Sequence, residues 1–275
     1  MRDKLEHLNK KAWRIRQIVM EMCVAAGTGH VTSSFSCAEI LVALYHGGVL
    51  KIDPKRPKWE DRDRFILSKG QASPILYAVL ADMGFFPMDH LQRFCKAGGP
   101  FGVHLQNDVN GVEITSGSLG IGFGVAAGVA YAARLDGKPH MTYALLGDGE
   151  CYEGSVWETA MFAGHHRLTN LAVIVDRNQY CVTGRTEDIV HLEPLDAKWR
   201  AFGWDTVQID GHSIQAVLDA LDAARKPGRA QPLAILANTV KGKGVSFMEN
   251  KALWHGVAPK GKDAEQALAE LGAKT

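Results

Sequence analysis

Short apolar runs alternate with helical patterns through the second half of the chain. The runs are TYALL (142–146), LAVIV (171–175), TVQI (206–209) and LAILA (233–237), and helical patterns cover about 153–166 and 213–225. The runs have the length and β-branched content of buried strands. Because strands that alternate with helices form right-handed crossovers and a largely parallel sheet, we predict a three-layer α/β/α fold with a largely parallel sheet.

The first half of the chain predicts further elements of the same fold. Apolar residues at helical spacing over 5–22 predict an amphipathic helix that ends near residues 27–29. Ser36 is predicted to cap a second helix, AEILVALYH. The segment DRFILSKG predicts a short strand and turn, followed by the helical ASPILYAVLADMG. Because no repeat, low-complexity tract or flexible linker interrupts the chain, we expect residues 1–275 to form one domain.

Charge and cysteine usage exclude several classes of protein. The 31 basic and 30 acidic residues give a net charge of +1, so no electrostatic field favours nucleic acid. The longest apolar stretch, LGIGFGVAAGVAYAA, is too short to span a membrane. The five cysteines are scattered without a C-x-x-C pair, and the charged N-terminus lacks the apolar centre of a signal peptide. We therefore expect a cytoplasmic protein that binds neither nucleic acid nor membrane.

Polar residues follow two of the predicted strands. Asp148 comes directly after TYALLG, and Asn178 follows LAVIVDR thirty positions later. The carboxyl ends of parallel strands share one edge of a sheet, where ligands bind. Carboxylate and amide oxygens suit Mg²⁺, and Gly147 and Gly149 let the backbone approach an anion. The G-D-G tripeptide alone is typical of a turn, but the two matching strand contexts predict a magnesium-bound diphosphate.

A dinucleotide site is the main competing interpretation of the glycines. Gly147 and Gly149 are followed by Gly154, which is too late for G-x-G-x-x-G. A second glycine cluster at 122–128 has a looser spacing, and no convincing buried strand precedes it. We interpret that cluster as close helix packing.

The G-D-G element with its asparagine resembles the thiamine diphosphate motif, and the flanking segments resemble the transketolase family. TGHVTSS (28–34), DRFILSKGQ (63–71), GVEITSGSLGIG (111–122) and WHGVAP (254–259) occur in transketolase order. The pyrimidine-binding and C-terminal domains of a full transketolase have no counterpart in the chain. The resemblance therefore implies the diphosphate-binding N-terminal subunit of a split transketolase. Such a subunit moves a two-carbon glycolaldehyde unit from a ketose, sugar or sugar phosphate, to an aldose, together with a C-terminal partner subunit in an α2β2 assembly.

The same resemblance implies roles for individual residues. Asp148, Asn178 and the main-chain oxygen of Tyr180 would hold Mg²⁺, or another divalent cation such as Ca²⁺ or Mn²⁺. The residues implied to contact thiamine diphosphate are Gln71, Gly117, Leu119, Gly147, Gly149 and His255.

The catalytic residues implied by the resemblance are His30, His104, His255, Glu153 and Glu158. The three histidines would face the sugar, where a neutral imidazole can both donate and accept protons near pH 7. Glu153 and Glu158 would line a subunit interface that links two active sites. Other histidines receive a structural interpretation; His212, in IDGH, is expected to be an ordinary loop residue.

Three positions depart from the family pattern. Gln71 replaces a histidine of the L-S-x-G-H block, and an amide can donate a hydrogen bond but cannot shuttle a proton. His104 lies in GVHLQ instead of G-H-P, and Ile121 replaces a glutamine. We place all three changes around the substrate and away from the metal, and they indicate an unusual sugar.

Two other functions stay open from the sequence. The chain could be the α subunit of a 2-oxo acid dehydrogenase, although the TGH, LSxG and WHG segments argue against this. It could also be a non-catalytic regulatory subunit. Gln71 favours that hypothesis, whereas Asp148, Asn178, Glu153 and His255 argue against it.

Overall fold

A five-stranded parallel sheet organises the chain. The computed structural model describes residues 2–272. The strands are β1 (Arg64–Leu67), β2 (Thr142–Gly147), β3 (Leu171–Arg177), β4 (Asp205–Asp210) and β5 (Leu233–Asn238). Their order in the sheet is β1-β2-β3-β5-β4, and every neighbouring pair is parallel. Each predicted apolar run lies in a strand, so the predicted largely parallel sheet is confirmed.

Helices cover both faces of the sheet. They are α1 (Arg2–Ala26), α2 (Val31–Phe35), α3 (Ala38–Tyr45), α4 (Ser73–Asp82), α5 (Ile121–Leu135), α6 (Gly154–His165), α7 (Thr186–Ile189), α8 (Leu195–Ala201), α9 (Ile214–Arg225) and α10 (Lys262–Glu270). Short 3₁₀ helices occupy Gly70–Ala72, Met88–Arg93, Gly149–Tyr152 and Ala252–Trp254. The predicted first helix and the helices near 153–166 and 213–225 are all present.

Successive strand residues contribute to two separate cores. Phe65 and Tyr143 belong to a core with α1, α3, α4 and α9, whereas Ile66 and Ala144 belong to a core with α5, α6 and α8. This division follows from the two-residue period of a strand, which sends alternate side chains to opposite faces of the sheet. The three-layer α/β/α prediction is therefore confirmed.

Two local predictions are wrong. Ser36 does not cap α3: the N-cap residue is Cys37, with no side-chain cap, and the Ser36 hydroxyl donates to Asp176 Oδ2 at 2.6 Å. The TVQI run is not a buried strand, because β4 lies at the edge of the sheet and its residues are half-buried or exposed. Within residues 2–272, no helix has both the length and the apolar character needed to cross a membrane.

Candidate active site

One cavity of about 180 Å³ lies at the carboxyl edge of the sheet. It collects residues that follow β1, β2 and β3 and joins them to two glycine-rich loops. The predicted site residues that line it are Gln71, His104, Gly117, Leu119, Gly147, Asp148, Gly149, Asn178, Tyr180 and His255. The sheet edge therefore brings together residues that are far apart in sequence.

The Asp148 carboxylate is buried and almost fully hydrogen-bonded. Its Oδ1 accepts from Gly149 N at 2.8 Å, and its Oδ2 accepts from Gln179 N at 2.5 Å and from Arg177 at 3.0 Å. Two carboxylate oxygens offer about four lone-pair sites, so one site on Oδ1 stays free for a cation. Burial, followed by the nearby charge of Asp176, raises the pKa of Asp148 to about 6. A bound cation would relieve this unfavourable burial of negative charge.

Asn178 completes the oxygen-rich part of the cavity. Its Nδ2 donates to Asp176 Oδ2 at 3.2 Å, which fixes the amide, and its Oδ1 accepts from Tyr180 N at 3.1 Å. Gln179, between them, has a φ of 67°, a left-handed conformation that turns the chain sharply. Among residues 2–272, no cluster of three or more His, Cys, Asp or Glu side chains could hold a metal. A cation here would need this mixed set of carboxylate, amide and main-chain oxygens, which suits Mg²⁺.

Two buried lysines at the site were missed by the sequence analysis. Lys69 forms an ion pair with Asp176 and donates to Ser33 O at 2.8 Å. Burial lowers the pKa of Lys69, but Asp176 outweighs burial and the net shift is upward. No pattern in the sequence separates this lysine from one on a solvated loop.

Lys241 is buried without a counter-ion. Its Nζ donates to Ser33 Oγ and to His255 Nδ1, each at 3.2 Å, and within residues 2–272 no carboxylate pairs with it. Burial, and secondly Lys69, lower the pKa of Lys241 to about 8. A buried cation without a counter-ion is costly unless an anion binds beside it. Lys241 therefore fits a site for a diphosphate.

The three predicted histidines meet in space. The His30 ring centroid lies 5.4 Å from that of His255 and 6.1 Å from that of His104. Because Lys241 donates to Nδ1 of His255, the proton of this imidazole is on Nε2. Burial is the main cause that lowers the pKa of His30 to about 4 and that of His255 to about 3. Both imidazoles are therefore neutral at pH 7.

The altered loop around His104 is anchored by α4. Ser73 Oγ donates to Val103 O at 2.7 Å, and Tyr77 Oη donates to His104 O at 3.2 Å. The His104 ring packs on Gly117, where an added Cβ would lie 3.6 Å from His104 Cγ. Leu105, which replaces the family proline, is buried. The loop thus presents His104 to the cavity despite its changed flanks.

Gln71 also lines the cavity. Its Oε1 is buried and has no hydrogen-bond partner among residues 2–272. A buried acceptor without a partner is unfavourable, so a ligand that donates a hydrogen bond would stabilise it.

Other predicted residues do not line the cavity, and His30 is among them: it is half-buried behind the lining residues His104 and His255. Glu153 is the N-cap residue of α6 without a side-chain cap bond, and both Glu153 and Glu158 are exposed on that helix. Ile121, at the start of α5, is 57% exposed and does not line the cavity. Its place around the substrate stays a prediction, because the partner subunit that would cover this face is a separate chain.

Glu150 is a further site residue that the sequence analysis missed. Its carboxylate accepts from Ser68 Oγ at 2.5 Å, Gly120 N at 2.8 Å and Gly147 N at 3.2 Å. Burial raises its pKa. The only signal in the sequence was its position directly after G-D-G, which did not distinguish it from a residue of the next helix.

Comparison with known proteins agrees with this geometry. Residues 8–275 match the family described as "Transketolase, thiamine diphosphate binding domain". The chain is 42% identical to the 6-deoxy-6-sulfo-D-fructose transketolase subunit SqwG of Clostridium sp., and 40% identical to an apulose-4-phosphate transketolase subunit from Actinobacillus succinogenes. The first match covers 98% of each protein; the second covers 97% of this chain and 96% of the relative.

A longer enzyme gives the same structural match. The Campylobacter jejuni transketolase superposes with a TM-score of 0.90 at 31% identity, over 97% of this chain and 43% of that enzyme. The chain belongs to the transketolase family and has the fold of its thiamine diphosphate-binding domain.

Proposed function

We propose that the chain is the thiamine diphosphate-binding subunit of a two-chain transketolase. It would transfer a two-carbon unit from a ketose to an aldose once a partner subunit completes the site. The observation that carries this proposal is the set of groups in and directly beside the cavity. Oxygen ligands line it, Lys241, which has no counter-ion among residues 2–272, contacts its lining residues Ser33 and His255, and three histidines cluster there.

The cofactor would be held by its diphosphate. Asp148, Asn178 and the Tyr180 main-chain oxygen would bind Mg²⁺. Ca²⁺ or Mn²⁺ could replace it, because these cations also prefer oxygen ligands. Lys241 and the Nε2–H of His255 would face the phosphate oxygens. When bound, thiamine diphosphate supplies the carbon nucleophile and the electron sink for cleaving the ketose carbon–carbon bond.

The residues of the chain would then orient the sugar and move protons. His30 is neutral near pH 7, so it can donate from one ring nitrogen and accept at the other, whereas Nδ1 of the neutral His255 accepts from Lys241 and leaves only its Nε2–H as a donor. His104 would join them from the loop anchored on α4. Gln71 would accept a hydrogen bond through its free Oε1, in the position where the family usually has an imidazole.

A partner subunit is supported by the size of the cavity and by the surface beside it. The cavity of about 180 Å³ is smaller than the roughly 300–1,000 Å³ of a complete ligand pocket. On α6, Met161 is 57% exposed and Phe162 is 40% exposed, one turn after Glu158, and Ile121 at the start of α5 is 57% exposed. Exposed apolar side chains of this kind mark interfaces. We propose that this face, with Glu153 and Glu158, forms the subunit interface of an α2β2 assembly.

The names of the relatives support an unusual ketose as the donor. One is named for a sulfonated fructose and the other for apulose 4-phosphate, so both names describe ketoses with an anionic group. Together with Gln71, they support a ketose that carries a phosphate or sulfonate away from its carbonyl carbon. All five cysteines are free, which supports a reducing compartment such as the cytoplasm.

The test is reconstitution with the partner. The chain is co-purified with the candidate C-terminal subunit, supplied with thiamine diphosphate and Mg²⁺, and assayed with phosphorylated, sulfonated and neutral ketoses and an aldose acceptor. We expect glycolaldehyde transfer from at least one anionic ketose and none from either chain alone.

Other results would identify the competing functions. Cofactor binding without transfer from any donor would support the non-catalytic hypothesis. Pyruvate-dependent release of carbon dioxide would support the 2-oxo acid dehydrogenase hypothesis, against which the transketolase relatives already argue.

A further inference from the structure

His212 is held by two hydrogen bonds in the loop between β4 and α9. Its Nε2 accepts from the backbone N–H of Val240 at 2.8 Å, and its Nδ1 lies 2.9 Å from Glu39 Oε2. Because the Val240 amide can only donate, Nε2 carries no proton, and Nδ1 must be the donor to Glu39. The side chain is only 15% exposed. The expectation of an ordinary loop residue is therefore wrong.

The acceptor of this histidine is itself rigidly held. Arg16 binds Glu39 through two parallel hydrogen bonds of 2.6 and 2.7 Å, and also donates to Phe35 O at 2.8 Å. Arg16 is 1% exposed and Glu39 is 6% exposed. Burial raises the pKa of Glu39, but Arg16 and His212 outweigh it and lower it to about 2. The carboxylate is therefore a fixed anion that joins α1, α3 and His212.

Val240 lies between two residues of the site. Thr239 donates to Asp176, the partner of Lys69, and Lys241 donates to Ser33 and His255. The loop of His212 lies directly on this segment, since an added Cβ at Gly211 would be 2.4 Å from Thr239 Cγ2. The hydrogen bond from Val240 to His212 therefore fixes the backbone immediately before Lys241.

We propose that His212 is a positioning residue for the diphosphate. Glu39 holds the proton of the imidazole on Nδ1, so Nε2 is free to accept from the Val240 amide, and this hydrogen bond fixes Lys241 where it meets the anion. The proposal rests on the proposed function, because it takes the anion beside Lys241 to be the cofactor diphosphate.

Two substitutions distinguish the roles of the two ring nitrogens of His212. In His212→Gln the side-chain oxygen reaches the place of Nε2 and can still accept from Val240. In His212→Asn the shorter amide reaches the place of Nδ1 and leaves the Val240 donor without a partner. A buried donor that loses its partner costs about 1–3 kcal/mol, so we expect His212→Asn to weaken thiamine diphosphate binding about 5- to 150-fold. His212→Gln should stay within about threefold of the wild type.

The experiment measures the Kd for thiamine diphosphate with Mg²⁺ by calorimetry on the complex with the partner subunit. Both variants are also made in a Lys241→Met background, and thermal unfolding of each cofactor-free protein reports folding. Because His212 acts through Lys241, His212→Asn should change the Kd less than about threefold in that background. Loss of fold alone would not produce this dependence on Lys241.

Three results would overturn the proposal while leaving the proposed function intact. These are wild-type affinity in His212→Asn, equal weakening in both His212 variants, and the same weakening with and without Lys241. If the wild-type complex does not bind thiamine diphosphate at all, the proposed function itself is wrong.

Discussion

Replacing Lys241 by methionine should change stability and cofactor affinity in opposite directions. The pKa of this lysine is lowered from 10.5 to about 8. At neutral pH the charged lysine therefore lowers the free energy of unfolding by about 3 kcal/mol. Methionine removes that cost and fills similar space, but the hydrogen bonds to Ser33 and His255 are lost at about 1 kcal/mol each. The cofactor-free chain should therefore become about 1–2 kcal/mol more stable.

The same substitution should weaken cofactor binding. A hydrogen bond to a charged group contributes about 1.5–3 kcal/mol, so the loss of the Lys241 ammonium should raise the Kd for thiamine diphosphate about 10- to 150-fold. Urea unfolding of the cofactor-free chain measures the free energy of unfolding, and calorimetry with Mg²⁺ present measures the Kd.

Two other lysines serve as controls. Lys69→Met breaks the ion pair with Asp176 and leaves that buried carboxylate without its counter-ion, so it should destabilise the chain by about 3–5 kcal/mol. Lys243→Met removes a 40% exposed side chain from the same loop and should change neither quantity appreciably. A Lys241→Met chain that is less stable than the wild type and binds the cofactor with wild-type affinity would refute the reasoning.

Four further predictions concern the metal, the sugar, the histidines and the interface. Asp148→Asn removes the only carboxylate of the proposed cation set, so Mg²⁺ should no longer strengthen thiamine diphosphate binding; unchanged Mg²⁺ dependence would contradict the assignment. Gln71→His exchanges the unpartnered buried acceptor for an imidazole. The kcat/KM for the preferred ketose should change at least about tenfold, and the Kd for the cofactor less than about threefold. Unchanged kinetics would show that Gln71 does not contact the sugar. Because the pKa values of His30 and His255 lie below 6.5 in the folded chain, only the unfolded chain takes up their protons as the pH falls through 6.5, so stability should decline from there toward pH 4. The double variant His30→Asn, His255→Asn should show a shallower decline in urea unfolding, and an equal decline would refute this. Met161→Glu places a charge on the proposed interface and should reduce the mass of the complex in sedimentation, whereas Met88→Glu, at a 41% exposed residue of the 3₁₀ helix Met88–Arg93 on the other side of the sheet, should leave the mass unchanged.

Residues whose role depends on local pattern could be predicted from the sequence. Asp148 and Asn178 each follow an apolar run, and a parallel sheet necessarily brings such strand ends to one edge. The length and β-branched content of the runs also predicted buried strands, which is correct for β2, β3 and β5. The order of strands could not be predicted, because it depends on contacts between segments that are distant in the chain.

Residues whose role depends on burial could not be identified in this way. Lys69 and Lys241 are charged residues in polar loops. Only the folded structure shows that both are 1% exposed and that, among residues 2–272, Lys69 has a counter-ion and Lys241 has none. Ser36 has the composition of a helix cap, but a buried carboxylate from a distant strand binds its hydroxyl instead. The β-branched residues of TVQI correctly predicted a strand. The position of β4 at the edge of the sheet could not be predicted, because it depends on pairing with distant segments.

The hydrogen bonds of Glu150 order the loops of the site before any ligand binds. Its carboxylate links Ser68, Gly120 and Gly147, so three loops are fixed to one another by groups within the protein. The conformational entropy of these loops is therefore lost during folding and not when a ligand arrives. A cofactor that enters this cavity meets a surface that is already ordered, and more of its contact free energy is available as affinity.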